Sequence, residues 1–114
     1  MSSTEDSNKE VRREMIEAIE QGKWEFTGRA LREGLDAFRE QTENPSKEAI
    51  IDYILELLQA NYPWTTTEMR DPPPGTGYVL KNSHRRADGR GLYIKLRFDW
   101  PYVIVVSFHY SDHP

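Results

Sequence analysis

Five polar side chains alternate with apolar ones along residues 91–110, and their types suit acid–base chemistry at an anion. They are Tyr93, Lys95, Arg97, Ser107 and His109. An imidazole suits proton transfer because its ordinary pKa, about 6.5, lies near neutral pH. A phenol can donate a proton or orient a phosphate, and lysine and arginine stabilise negative charge as it develops. Together these groups could move protons at a phosphate and hold its charge.

The β-strand period of two would place these side chains on one face of a hairpin. Successive strand residues point to opposite faces, so the even positions 92–98 would face the core. We predict a three-residue connection, Asp99-Trp100-Pro101, which sets Tyr93 opposite Ser107 with His109 beside it. The core face would then also hold Tyr102, Ile104, Val106 and Phe108, with Val103 and Val105 on the open face.

This arrangement depends on the length of the turn, and it has a simpler alternative. A two-residue turn would reverse the faces of one strand and scatter the cluster. The same alternation is also typical of the solvent-facing side of any antiparallel sheet.

The first part of the chain predicts a polar tail, a helix and a short strand. Residues 1–8 have no apolar periodicity and are expected to be disordered. Apolar residues at helical spacing predict a first helix over about 9–21, which Gly22 would end as a left-handed C-cap. Residues 24–26 alternate as a short strand.

Two more helices are predicted before residue 60. Thr27 can accept amide hydrogen bonds at the start of a second helix over about 28–40. Asn44 followed by Pro45 is typical of an N-cap and a first-turn proline, and a broad apolar stripe then predicts a third helix over about 45–59.

The rest of the chain predicts a loop and then a sheet. Residues 60–76 lack apolar periodicity and include Asp71-Pro-Pro-Pro, which removes hydrogen-bond donors, so they are predicted as a long loop. A strand over 77–81, a basic connection over 82–90 and the hairpin follow. The predicted fold is α+β: three N-terminal helices with a short strand, packed on one face of a C-terminal three-stranded antiparallel meander, in a single domain over 9–114.

Composition and charge limit the classes of function. The chain has 114 residues and no cysteine, so disulfide and thiolate chemistry are excluded. No apolar run is long enough to cross a membrane and the N-terminus is polar, so we expect a cytoplasmic protein without a membrane partner. The net charge is −4, yet residues 61–114 hold seven bases against five acids. Their bases predict a local positive patch that would attract an anionic ligand.

Four short segments, in this order of elements, resemble the RelE-like toxin superfamily, and most closely its motility quorum-sensing regulator toxins. They are Glu-Gln-Gly-Lys at 20–23, Phe-Thr-Gly-Arg-Ala-Leu at 26–31, Gly-Leu-Tyr-Ile-Lys-Leu at 91–96 and Val-Ile-Val-Val-Ser-Phe-His at 103–109. The resemblance implies a RelE-like fold and an endoribonuclease that cuts messenger RNA. Such enzymes need no metal or other cofactor, activate a ribose 2′-hydroxyl and are held inactive by a cognate antitoxin.

The resemblance also implies roles for particular residues. Tyr93 matches the sheet-face tyrosine of the family, and His109 falls where relatives place a lysine or a histidine. The polar group that should follow the first strand of the meander remains open among Lys81, Asn82 and His84. The predicted catalytic set is His109, Tyr93, Lys95, Arg97 and Lys81, and the predicted RNA-binding set is His84, Arg85, Arg86, Arg90 and Tyr110.

Other interpretations of the same residues remain. Most such toxins are basic, and the acidity of this chain favours an alternative: a non-catalytic regulator, or an inhibitor of a nucleic-acid enzyme, that binds through its acidic helices. His109, Asp112 and His113, with His84, have the types of metal ligands, but a frayed C-terminus is a poor place for a site and we predict no metal.

Overall fold

Three helices and five strands make up the part of the chain that the computed structural model describes, residues 3–70 and 75–113. Within that part, no helix combines the length and apolar character needed to cross a membrane. In chain order the elements are α1 (Ser3–Glu20), β1 (Trp24–Phe26), α2 (Gly28–Phe38), α3 (Lys47–Gln59), β2 (Thr65–Met69), β3 (Gly75–Arg85), β4 (Gly91–Asp99) and β5 (Tyr102–Tyr110).

The five strands form one mixed sheet in the order β1-β5-β4-β3-β2. β1 pairs with β5 in parallel, through Trp24 opposite Val103, and the other neighbours are antiparallel. The fold is α+β, but the predicted three-stranded meander is wrong because a strand is added at each edge. β1 was predicted as a strand outside the sheet, and β2 lies within the predicted loop.

β2 escaped prediction because an edge strand with little burial has no apolar alternation to reveal it. Its sequence is Thr-Thr-Thr-Glu-Met, and only Met69 is partly buried. Thr65 pairs with Val79 and Met69 with Gly75. The proline run of the predicted loop, residues 71–74, lies outside the described residues.

The helices keep their predicted order with changed ends. α1 begins at Ser3, so residues 3–8 of the expected tail are helical, and the remaining Met1 and Ser2 lie outside the described residues. Gly22 has a positive φ of 77°, as predicted for the residue that ends this helix. The Thr27 side chain accepts a hydrogen bond from the Ala30 amide at 3.1 Å, which confirms it as the N-cap of α2.

The predicted N-cap of α3 is wrong by two residues. Ser46 has an extended backbone, and its hydroxyl accepts a hydrogen bond from the Ala49 amide at 3.1 Å. Asn44 and Pro45 therefore precede the cap rather than form the first turn. A serine at this position satisfies one of the helix amides that lack an intrahelical partner.

The apolar core lies between the helices and one face of the sheet. α1 and α2 pack against β5, and both also contact α3. The sheet contributes Leu80, Leu92, Ile94, Leu96, Val103, Val105 and Phe108, and the helices contribute Met15, Ala30, Ile50, Ile54 and Leu58. The even residues of β4 are thus in the core, as predicted.

The register of β4 and β5 differs from the prediction in two places. The turn has two residues, Trp100 and Pro101, because Asp99 pairs with Tyr102. Further along, Leu96 pairs with Val105 while Lys95 pairs with Ser107, so Val106 is an extra residue in β5. Such a bulge shifts the alternation of its strand by one position.

The bulge divides β5 into two halves with opposite alternation. Before it, Val103 and Val105 face the core and are fully buried, whereas Tyr102 is 42% exposed. The predicted core set of Tyr102, Ile104 and Val106 is therefore wrong. After the bulge Phe108 faces the core, as predicted, and His109 faces the other way.

Candidate functional site

Three predicted site residues form a row across three strands, on the sheet face turned away from the core. Tyr93 of β4 pairs with His109 of β5 on one side and with Lys81 of β3 on the other. The Tyr93 and His109 rings are stacked, with centroids 5.4 Å apart and planes inclined by 27°. We call this group the catalytic row, after the role that the sequence analysis predicts for its members.

Lys95 occupies the next position on the same face. It pairs with Val79 on one side and with Ser107 on the other. Its side chain lies over Gly77, because a Cβ at residue 77 would come within 2.7 Å of Lys95 Cε and 3.0 Å of Thr67 Cγ2. The absence of a side chain at Gly77 thus leaves room for the lysine to extend across the sheet.

Arg97 lies on the same face, but its side chain forms an ion pair with Asp99 near the end of β4. Its Nε donates to Asp99 Oδ1 at 2.6 Å, and its side chain is only 12% exposed. Arg97 lies four positions after Tyr93 in β4, which corresponds to a distance of about 13 Å along the strand. The predicted cluster therefore divides: Lys81, Tyr93, His109 and Lys95 lie together, and Arg97 lies beyond them.

The backbone orients the His109 ring. Its Nδ1 is 2.9 Å from the carbonyl oxygen of Tyr110. Because a carbonyl only accepts, Nδ1 carries the hydrogen, and Nε2 of the neutral ring is left with a lone pair. A histidine held in this tautomer can accept a proton at Nε2.

An acidic wall, formed by α2 and by Glu40 in the turn that follows it, lies beside His109. Glu33, Asp36 and Glu40 line a groove of about 200 Å³ together with His109, Tyr110, Arg86 and Arg90. The hydrogen bond from Arg29, at 2.9 Å, lowers the pKa of Glu33, and the charge of His109 acts in the same direction. Glu33 therefore remains a carboxylate close to the imidazole.

Two residues of the predicted RNA-binding set lie on the opposite side of the sheet from the catalytic row. The Tyr110 hydroxyl and His84 Nδ1 are 2.8 Å apart, and Tyr110 is 8% exposed. Burial raises the pKa of Tyr110, while a hydrogen bond with Gln41 acts in the other direction. Tyr110 is thus a core residue next to the site, although its chain neighbour His109 belongs to it.

Each of the three arginines of that set has a partner within the fold, and two of these partners lie in the connection between β3 and β4. Arg85 donates to the carbonyl of Gly89 at 2.9 Å. Arg90 pairs with Asp88 at 2.8 Å, and hydrogen bonds from the backbone and side chain of Arg90 lower the pKa of Asp88. These contacts close the connection between β3 and β4.

Arg86 has a carboxylate and an aromatic partner at once. It pairs at 2.9 Å with Glu40, in the turn after α2, and its guanidinium lies 5.3 Å from the centre of the Tyr110 ring. The contact links the β3–β4 connection to α2.

The structure distinguishes among the three residues left open by the sequence. Lys81 is in register with Tyr93. Asn82 has a positive φ of 62°, and its side chain fills the space that a Cβ on Gly91 would need. His84 Nδ1 is hydrogen-bonded to the Tyr110 hydroxyl. Lys81 is therefore the one that joins the row.

The acidic wall and the role of Gly77 were not predicted from the sequence. The spacing of Glu33, Asp36 and Glu40 within the predicted second helix is a signal for a shared face. Nothing in the sequence alone shows that α2 passes the end of β5. Gly77 has no signature beyond a glycine in a strand, which indicates a close approach without naming the partner.

Comparisons of the chain with protein-family models, with curated proteins and with solved structures find no match. The likeness to RelE-like toxins therefore rests on the four quoted segments. Within residues 3–70 and 75–113, no three histidine or acidic side chains are grouped so that they could hold a metal ion.

Proposed function

We propose that this protein is a RelE-like endoribonuclease that binds single-stranded RNA across the sheet face holding the catalytic row and cleaves it there. The observation that supports this most is the alignment of Lys81, Tyr93 and His109 on adjacent strands, with Lys95 one row away. The row combines a proton acceptor, a proton donor and two cations, which are the groups that this cleavage needs.

The reaction would be an internal transesterification. His109 Nε2 takes the proton of a ribose 2′-hydroxyl, and the 2′-oxygen forms a bond to the adjacent phosphorus. The bond from phosphorus to the 5′-oxygen breaks, and the Tyr93 hydroxyl protonates that leaving oxygen. Lys81 and Lys95 stabilise the charge on the non-bridging oxygens. The products are a 2′,3′-cyclic phosphate and a 5′-hydroxyl.

Charge on the sheet suggests how RNA would lie. The acidic wall borders the row at β5, and because each of its carboxylates is paired with an arginine, it offers a phosphate little net positive charge. On the other side Lys81 and Lys95 are followed by the exposed Thr65 and Thr67 of β2, whose hydroxyls can donate to phosphate. The backbone of the RNA would therefore run over β2, β3 and β4 and reach His109 from that side.

The remaining parts of the proposal rest on the resemblance to RelE-like toxins. A nuclease of this kind acts on messenger RNA in the cytoplasm, free or on the ribosome, and a cognate antitoxin would inhibit it by covering the catalytic row.

Incubation of the purified protein with single-stranded RNA in EDTA tests the activity. We expect fragments that end in 2′,3′-cyclic phosphate, and no cleavage of a substrate with 2′-deoxyribose at the cut site. His109→Ala and Tyr93→Phe should each lower the rate by about a hundredfold or more. His113→Ala, at an exposed histidine outside the row, is the matched control and should cleave like wild type.

Intact RNA in every sample would overturn the proposal in favour of the non-catalytic binding module. Cleavage that His109→Ala leaves unchanged would show that the activity belongs to a contaminant or to another site.

A further inference from the structure

Two large apolar side chains are exposed at the tip of the β4–β5 hairpin. Trp100 is 77% exposed and Tyr102 is 42% exposed, and they are the exposed large hydrophobic residues of the described chain. Tryptophan and tyrosine are the residue types that most often dominate the binding energy of protein interfaces. The tip is thus a candidate contact surface, and its chemistry depends on what surrounds Trp100.

Trp100 forms one wall of a cavity whose other wall is α1. We call it the Trp100 pocket; its volume is about 200 Å³ and it is lined by Glu14, Glu17, Ala18, Gln21, Lys23, Phe98, Trp100 and Pro101. Two carboxylates and a tryptophan therefore face one space, with a single lysine near them. Within the described part of the chain, neither glutamate is in an ion pair.

The acidic character extends from the pocket along α1. Glu10, Glu14, Glu17 and Gln21 are spaced by four, three and four residues, so they share one face of the helix, and Lys9 and Arg13 lie beside Glu10 at its far end. A ligand that enters the pocket and continues along the helix would therefore meet the carboxylates of Glu17 and Glu14 before it reaches these two cations. That pattern is complementary to a positively charged chain segment and repels phosphate.

Two guanidinium groups within the fold contact aromatic rings, and one of them also pairs with a carboxylate. Arg12 lies 4.1 Å from the centre of the Trp64 ring and donates to the carbonyl of Tyr62. Arg86 lies between the Tyr110 ring and the Glu40 carboxylate. A planar guanidinium stacks on an aromatic face while it donates to a carboxylate, which a lysine ammonium does less well. The Trp100 pocket presents the same two partners without an arginine.

From these observations we infer that the Trp100 pocket binds an arginine side chain of a basic partner protein, whose neighbouring cations lie along the acidic face of α1. The guanidinium stacks on Trp100 and donates to Glu14 and Glu17. The pocket lies roughly 20 Å from Tyr93, at the other end of β4. The partner site is thus separate from the catalytic row and does not depend on the proposed nuclease activity.

NMR of the tryptophan indoles tests this inference on the full chain. The three tryptophans give three indole N–H signals, and a Trp100→Phe variant assigns the one at the tip. The probe is an alanine-based helical peptide with arginines at positions i, i+4 and i+7. We expect it to shift the Trp100 signal in a saturable way and to leave those of Trp24 and Trp64 in place.

Matched peptides and variants define the mechanism. Citrulline in place of arginine keeps the shape but removes the charge, and it should abolish the shift. The Glu14→Gln and Glu17→Gln changes should each weaken binding by about threefold to fivefold. Glu48→Gln and Asp52→Gln, at exposed acids of α3 outside the pocket, remove the same charge and should leave the affinity unchanged.

Several outcomes would overturn the inference. They are a Trp100 signal that does not respond to the arginine peptide, an equal response to the citrulline peptide, or the same loss of affinity from the α3 changes. A shift of the Trp100 signal by a single-stranded oligonucleotide, and not by the peptide, would assign the tip to nucleic acid instead.

Discussion

At the level of single residues, the candidate site consists of a histidine, a tyrosine and a lysine that are far apart in the sequence. Lys81, Tyr93 and His109 come from three strands and meet only through backbone pairing. The stacking of the two rings restricts both side chains, and the Tyr110 carbonyl determines which imidazole nitrogen is free. The backbone pairing does not depend on these side chains, so a substitution at one of them should leave the strands in register and their roles can be tested one at a time.

Gly77→Ala tests whether the position of Lys95 matters. The new Cβ would come within 2.7 Å of Lys95 Cε, so the lysine must move while the backbone need not. We expect about a tenfold loss in the rate of RNA cleavage, close to that of Lys95→Ala, with little change in thermal stability.

Gly75→Ala is the control for this experiment, because its nearest neighbour is the Arg97 guanidinium at an ordinary 3.7 Å. Equal effects of the two glycine changes on the cleavage rate would argue against a specific role for the space above Gly77.

At the level of elements, the N-terminus of α3 shows how a local signal misplaces a boundary. Asn44-Pro45 and Ser46 both have the residue types of a helix start, and the structure uses Ser46. Ser46→Ala should therefore lower the free energy of unfolding by about 1 kcal/mol. Asn44→Ala should change it by less than about 0.5 kcal/mol. Urea denaturation of the two variants beside wild type measures both values, and the reverse order would restore the predicted cap.

What the sequence could predict follows from which signals are local. The core face of β4 and the cap of α2 depend on neighbouring residues, and both were predicted. β2 was missed because it is a polar edge strand, and the parallel pairing of β1 with β5 joins segments about 80 residues apart. Such pairings are not visible in local patterns.

The placement of His109 on the same face as Tyr93 was predicted for a reason that was partly wrong. The turn is one residue shorter than expected, which alone would have put His109 on the core side. The bulge at Val106 shifts the alternation once more, so His109 returns to the face of Tyr93. Neither event is encoded in the period of two, and they cancel only beyond the bulge.

At the level of the whole molecule, three tyrosines that are shielded from solvent should make the stability of the fold decrease at alkaline pH. Burial raises the pKa of Tyr53, Tyr78 and Tyr110 above the ordinary 10.0. The unfolded chain therefore loses these protons at a lower pH than the folded protein does. Stability is full below about pH 10 and falls as the pH rises above it.

Tyr78→Phe tests this linkage, because burial alone raises the pKa of Tyr78. We expect the free energy of unfolding to fall less steeply above about pH 10 than in wild type. Denaturation curves measured from about pH 8 to pH 11 give the slope. Tyr102→Phe, at an exposed tyrosine, serves as the reference, and a similar slope for both variants would contradict the linkage.

Because of the bulge at Val106, the side chains of residues 107–110 of β5 alternate between the two faces out of step with those of residues 102–105. Deletion of Val106 would move every later residue of β5 to the opposite face of the sheet. The His109 imidazole would then point into the core, and Phe108 would face solvent. Deletion of this one codon would thus both abolish the proposed nuclease activity and destabilise the core. The side of the sheet on which His109 lies therefore depends on the length of β5 as much as on its composition.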